Sequence, residues 1–203
     1  LFVAFDERDT GDETTGLRLP SGACDLPLAI CDKVFDQNGQ VYFDSFENSG
    51  ILGDKPLVNG VVQPFAEVAR RRYRLRPLNM GPSRILQLHL FNATTGRWID
   101  NAFLQIASDG NLLRNPVPRS GLFLSVAERH DVLVDFARIA SSGDVLVNGS
   151  TVNDGGSPAK SANVTLMNLS YSSGAGSSNL NLDGVSFNGA FTSLALITIT
   201  GNA

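Results

Sequence analysis

The chain has 203 residues, 42% of them hydrophobic and 18% charged. That is enough for one sizeable packed domain and too apolar for global disorder. A net charge of −4 speaks against a nucleic-acid binder, and no apolar run reaches the roughly 18–20 residues of a membrane span.

The predicted elements are strands almost throughout. Leu1 to Phe5 reads as a strand with no Met, leader or turn before it, as expected of a processed chain or a piece of a longer one. Asp9, Asp12 and Glu13 then form an acidic turn, read as a solvated loop. Cys24 and Cys31 flank a strand-like run, Asp25 to Ile30, which if extended holds their Cα atoms roughly 20 Å apart. A disulfide needs less than about 7 Å, so the pair is read as free, half-buried thiols, with a bridge to another chain as the alternative. Val34 to Phe43 predicts a hairpin with Asn38-Gly39 at positive φ, and Lys55 to Val62 a second one around Asn59-Gly60.

Arg72 to Arg76 and Ile85 to Leu90 alternate strictly in polarity, the mark of half-buried strands. Arg70, Arg72, Arg74 and Arg76 would share one face of such a strand. Phe103 to Ile106 leads to a turn at Asp109-Gly110, and strands follow at 122–126, 131–136 and 144–147. No long amphipathic helix is predicted. Short strands separated by Gly, Pro and Asn predict an all-β antiparallel sandwich or barrel.

Composition changes at Asn148. Residues 149–203 carry three charged side chains, Asp154, Lys160 and Asp183, amid Ser, Gly, Asn and Thr. Strand-like pieces remain at 163–167 and 193–200. The second is uncharged and β-prone, so it should lie inside a sheet or pair with another chain. Sequons at Asn92, Asn148, Asn163 and Asn168 point to a secreted or periplasmic setting.

From Gly16 to Phe136 a set of short pieces occurs in a characteristic order. They are Gly16-Leu17-Arg18-Leu19-Pro20, Asp25-Leu26-Pro27-Leu28, Asp32-Lys33-Val34-Phe35, Leu52-Gly53-Asp54 and Leu57-Val58-Asn59-Gly60. Arg72 to Asn79 and Ser83-Arg84 follow, then Ile106 to Leu113 and Val126-Ala127-Glu128-Arg129 with Asp131 to Phe136. The ordered set resembles the second domain of three-domain multicopper oxidases, the laccases and bilirubin oxidases. Leu1 to Asp12 resembles the segment that closes the family's first domain.

The resemblance implies a cupredoxin-like Greek-key β-barrel or sandwich. With the composition change after Asn148, it divides the chain into 1–15, a strand and linker ending the first domain; 16–148, the middle domain; and 149–203, poorly matched. It also implies a copper-free scaffold that holds copper-bearing cupredoxin domains of the same protein in register, and internal ion pairing of Arg74 and Arg76 with Asp109, Glu128, Asp131 or Asp135.

Histidine counting sharpens the expectation. A blue-copper centre takes two His and one Cys, and the family's trinuclear centre takes His-x-His pairs and a His-Cys-His run. This chain has two His in all, His89 and His130, and none of those motifs. It is therefore expected to hold no copper and to be non-catalytic by itself. Copper belongs to the parent enzyme, which would oxidise phenols, aromatic amines or metal ions and reduce dioxygen to water. The alternative is a structural or self-assembling extracellular protein on an oxidase-derived barrel, with 193–200 pairing with an identical chain. Hydrolase, phosphate-loop and zinc-protease motifs are absent from the sequence.

Overall fold

The computed structural model describes residues 3–46, 50–92, 97–139, 143–152 and 163–171. Two β-sheets face each other across one apolar core. The larger contains, in spatial order, β10 (Asn111–Arg119), β9 (Phe103–Ser108), β12 (His130–Asp135), β6 (Arg72–Asn79), β1 (Asp25–Phe35), β3 (Lys55–Val58) and β4 (Val61–Val62). A short β2 (Val41–Tyr42) pairs with the far end of β1. The smaller runs β11 (Gly121–Leu124), β7 (Ile85–Asn92), β13 (Gly143–Val152), β14 (Asn163–Tyr171) and β5 (Phe65–Glu67), with β8 (Arg97–Trp98) against β7. A 3-10 turn, Gly22–Cys24, and a four-residue helix α1 (Phe136–Ile139) complete the described elements. No described helix is long and apolar enough to cross a membrane.

Two-residue periodicity builds the core. Along β7, Leu86, Leu88 and Leu90 are buried while Ile85, Gln87 and His89 are partly exposed. Tyr73 and Leu75 of β6 and Val132 and Val134 of β12 face them, with Leu28, Ile30 and Phe103. The outward positions of β6 are therefore the arginines. Arg72, Arg74 and Arg76 share that face, whereas Arg70 precedes the strand.

Two Asn-Gly or Asp-Gly turns take the tight hairpin form, with Asn59, Gly60, Asp109 and Gly110 all at positive φ. The third departs from expectation. Of Asn38 and Gly39 only Gly39 has positive φ. The Asp36 carboxylate accepts the backbone N–H groups of both Asn38 and Gln40, so the loop closes one residue wider.

Val3 to Phe5 is not a strand, and Leu1 and Phe2 lie outside the described residues. The segment from Val3 is held by side chains, without a neighbouring strand. β13 continues through Asn148, paired with β7 in unbroken register on one side and with β14, across a register shift at Val147/Asn148, on the other. The predicted composition boundary at 148/149 thus falls inside a strand of the smaller sheet. The apolar stretch 193–200 lies outside the described residues.

The sheet ends are blunt. β4, β5 and β11 have two, three and four residues, and β10 carries Pro116 and Pro118 and a register shift against β9.

Candidate functional site

The densest polar cluster lies on the outer face of the larger sheet. Arg74 is 1% exposed. Its Nε donates to both carboxylate oxygens of Asp131 (2.8 and 3.0 Å), and its Nη1 and Nη2 donate to Asp9 (2.9 and 2.6 Å). Arg76 donates from Nε and Nη2 to Asp25 (2.7 and 2.8 Å) and from Nη1 to Asp131 (3.2 Å), with the Phe5 ring 5.9 Å from its guanidinium carbon. Two guanidiniums thus share three carboxylates, with the Arg74–Asp131, Arg74–Asp9 and Arg76–Asp25 pairs all bidentate.

Register decides these partners. β12 runs antiparallel to β6 with Val132 opposite Leu75 and Asp135 opposite Arg72. One step further along the ladder Asp131 meets Arg76, with Arg74 on its diagonal. Asp135 is carried away to Arg72 (3.2 Å) and Arg138 (3.4 Å), and its other oxygen caps α1 by accepting the Ala137 N–H. Asp109 pairs with Arg129 at 3.3 Å on the surface. Glu128 accepts the Ser125 N–H and lies 3.5 Å from His130. Of the expected carboxylates, therefore, Asp131 meets Arg74 and Arg76, while Asp109, Glu128 and Asp135 serve other residues.

Asp9 and Asp25 come instead from outside the expected set. Asp9 is a correction: it is 8% exposed and sits beneath the N-terminal segment, whereas Asp12 is exposed and Glu13 partly so. Burial pushes the Asp9 carboxyl up, but the Arg74 hydrogen bonds and charge outweigh this and hold it below its ordinary 3.8. Desolvation likewise opposes the Arg74 charge, yet Asp131 and Asp9 raise its pKa further above the ordinary arginine range. Glu13 adds a surface ion pair with Arg71 and accepts the Ser21 N–H. The N-terminal segment is thereby strapped across the sheet.

A second buried pair lies at the other end of β1. Arg84 Nε donates to Asp32 Oδ2 (2.7 Å) and Nη2 to the Gly53 carbonyl (2.9 Å), while Asp32 accepts the Gly53 N–H. A Cβ on Gly53 would stand 2.6 Å from the Asp32 carbonyl carbon and closer still to the Lys33 nitrogen. Only glycine fits there. Asn79 completes the network by donating to the carbonyls of Arg84 and Leu124 and accepting from the Gly81 N–H.

An open recess of about 370 Å³ borders the Arg74 cluster, lined by Phe5, Arg76, Asp109, Leu112, Arg129 and His130 among others. His130 Nε2 donates to the Phe123 carbonyl (2.9 Å), and Nδ1 accepts from Gln105 Nε2 (2.7 Å). His89 Nδ1 donates to the Ser120 carbonyl (3.2 Å), with its ring edge-on to Trp98 at 5.2 Å. Cys24 and Cys31 are free and fully buried, not half-buried. Burial pushes the Cys31 thiol up, which keeps it protonated. Both thiols should resist a water-soluble disulfide reagent in the native chain and react once it is unfolded in denaturant, read by absorbance. Rapid native labelling would contradict their burial.

These donors do not suit copper. Both nitrogens of His130 are committed, to Gln105 and to the Phe123 carbonyl, which leaves one histidine where a blue-copper centre takes two. Among the described residues no three His, Cys, Asp or Glu side chains converge as a metal site. Asn92 ends β7 with its side chain buried, a poor position for a glycan in the folded chain. Asn148, Asn163 and Asn168 lie on β13 and β14.

Strand order and core define an all-β domain, and its solved structural neighbours are cupredoxin-like multicopper oxidases. No family model matches the chain. It is 34% identical to a laccase of Bacillus stratosphericus over 162 residues, 73% of this chain and 30% of the laccase. It is 40% identical to the cell division protein FtsP of Xenorhabdus nematophila over 130 residues, 63% of this chain and 26% of that protein. The structure of a variant of the McoA multicopper oxidase from Aquifex aeolicus superposes with a TM-score of 0.66 at 29% identity, covering 77% of this chain and 33% of McoA. The chain is a homologue of laccases and other multicopper oxidases, and it spans about a third or less of the length of the relatives it matches.

Proposed function

We propose that the chain is the copper-free middle domain of a longer laccase-like oxidase, and that it scaffolds the copper-bearing domains without reacting itself. The whole enzyme would take single electrons from phenols, aromatic amines or metal ions and reduce dioxygen to water, outside the cytoplasm. One observation carries this reading. The match covers 73% of this chain but 30% of a laccase, in a chain that contains two histidines. The buried charges support the scaffold role, because Arg74, Arg76 and Arg84 are spent on carboxylates of this chain.

The test is the full-length gene product. It should exceed this chain in mass, carry His-x-His and His-Cys-His motifs and bind copper with a blue absorption band. The 203-residue chain alone should bind no stoichiometric copper. A long product lacking those motifs and copper would remove the oxidase activity from the proposal.

The relation to a cell division protein favours a second reading, a non-catalytic structural or assembly protein on the same barrel. Truncation is its test. The cut belongs after Tyr171, because a cut at Asn148 would split β13 and remove β14. An assembly role through the C-terminal stretch predicts that size-exclusion chromatography shows a large species for the intact chain and a monomer for residues 1–171. An identical elution state would leave assembly without support.

A further inference from the structure

One surface feature is not used by the fold. Four large apolar side chains within six positions, Val41, Tyr42, Phe43 and Phe46, are 56%, 57%, 62% and 89% exposed. Successive strand residues point to opposite faces, so a hairpin lying on the body would bury either Val41 or Tyr42. Here both faces of β2 are open, and pairing with β1 is confined to Val34–Tyr42 and Phe35–Val41. The hairpin projects as a tongue with apolar residues on both sides. Contiguous apolar surface of this kind marks an interaction site on soluble proteins.

Charge narrows the occupant. From Val34 to Phe46 the tongue carries Asp36 and Asp44 and no Lys or Arg, with Lys33 and the Lys55–Asp54 pair at its base. Two copies meeting through the same tongue would bring these carboxylates together, and like charges across an interface are penalised. The complementary surface is an apolar groove with a basic rim. Length supplies the candidate, since two thirds or more of each matched relative lies outside the stretch this chain matches.

We infer that the β1–β2 hairpin seats in an apolar, basic-rimmed groove of another domain of the same full-length polypeptide. This rests on the reading that the chain is one domain of a longer protein, and it adds to that reading the surface by which the domain is held. Anchoring aromatic residues in the desolvated centre of an interface are the groups that dominate its energy.

Hydroxyl-radical footprinting with mass spectrometry tests it on two samples, the 203-residue chain and the full-length gene product. Phe43 and Phe46 should oxidise about fivefold or more slowly in the full-length protein, as side chains at an interface core lose most of their exposure. Equal rates overturn the inference. Protection in the 203-residue chain that grows with its concentration overturns it too, because a second copy is then the occupant. A Phe43→Ser, Phe46→Ser double variant provides a second measurement. Melting of the 203-residue chain should stay within about 1–2 °C, as for exposed positions. The full-length protein should instead unfold in two separate transitions, and a single unshifted transition there argues against the inference. A full-length product without copper motifs that still protects the tongue would end the oxidase reading and leave the interface standing. One with the motifs and no protection would do the reverse. A native product no longer than 203 residues would end both.

Discussion

Replacing Arg74 with methionine should lower the unfolding free energy by about 3–5 kcal/mol, because it strands buried carboxylates without their cation. Asp9 and Asp131 both turn their oxygens to this guanidinium, and neither has bulk water to fall back on. Arg76 still reaches Asp131, so Asp9 is the carboxylate left most exposed to the loss. At about 2–4 °C per kcal/mol for a domain of this size, the melting temperature should drop by roughly 10 °C. A drop below about 3 °C would show that the cluster is better hydrated than its geometry indicates.

The same cluster sets an acid limit. The Asp9 carboxyl titrates below its ordinary 3.8 in the folded chain. A carboxyl depressed by folding contributes stability that is complete above the unfolded value and lost as pH falls through the folded one. The denaturant midpoint should therefore fall on acidification below about pH 4. Asp9→Asn should be less stable at neutral pH and lose less on acidification. A parallel fall in both proteins would assign the acid response to other groups.

Asp32→Ala should cost a comparable amount, about 3–5 kcal/mol. It removes the acceptor of the Gly53 N–H and the carboxylate facing Arg84 in one step. Asp32→Asn keeps an oxygen there and should cost less. Gly53→Ala tests the same corner from the other side. Its Cβ would collide with backbone that has no rotamer to move, so it should destabilise by about 1–3 kcal/mol or more. Urea denaturation of the three variants measures all of this. A neutral Gly53→Ala would mean that the 50–54 loop can shift away from β1.

How legible each part was depended on the range of the signal. Strand β7 could be read because every second residue repeats one instruction, and the structure buries Leu86, Leu88 and Leu90 as the alternation requires. Asn59-Gly60 and Asp109-Gly110 were legible because a two-residue turn is a local demand on φ. Asn38-Gly39 was misread for an equally local reason, since the Asp36 side chain offers the backbone a different closure. The arginine stripe announced a charged face but not its partners. Asp9 stands 65 positions from Arg74 and Asp25 stands 51 from Arg76, and no spacing rule connects them. An acidic turn full of Thr and Gly looks solvated until a segment closes over a guanidinium. The ordered family pieces, by contrast, mark residues such as Gly53, Asn79 and Arg84, whose backbone and side-chain bonds fix the corners of the barrel.

The blunt sheet ends bear on the structural reading. A β-domain polymerises by offering a partner an open ladder, a continuous row of free backbone donors and acceptors. Pro116 and Pro118 each remove a donor from β10, and β4, β5 and β11 have at most four residues with which to start a ladder. These sheet ends offer no long open ladder for fibre-like growth. Association through these ends would have to be a side-chain fit between finished surfaces, which saturates at a fixed stoichiometry instead of propagating.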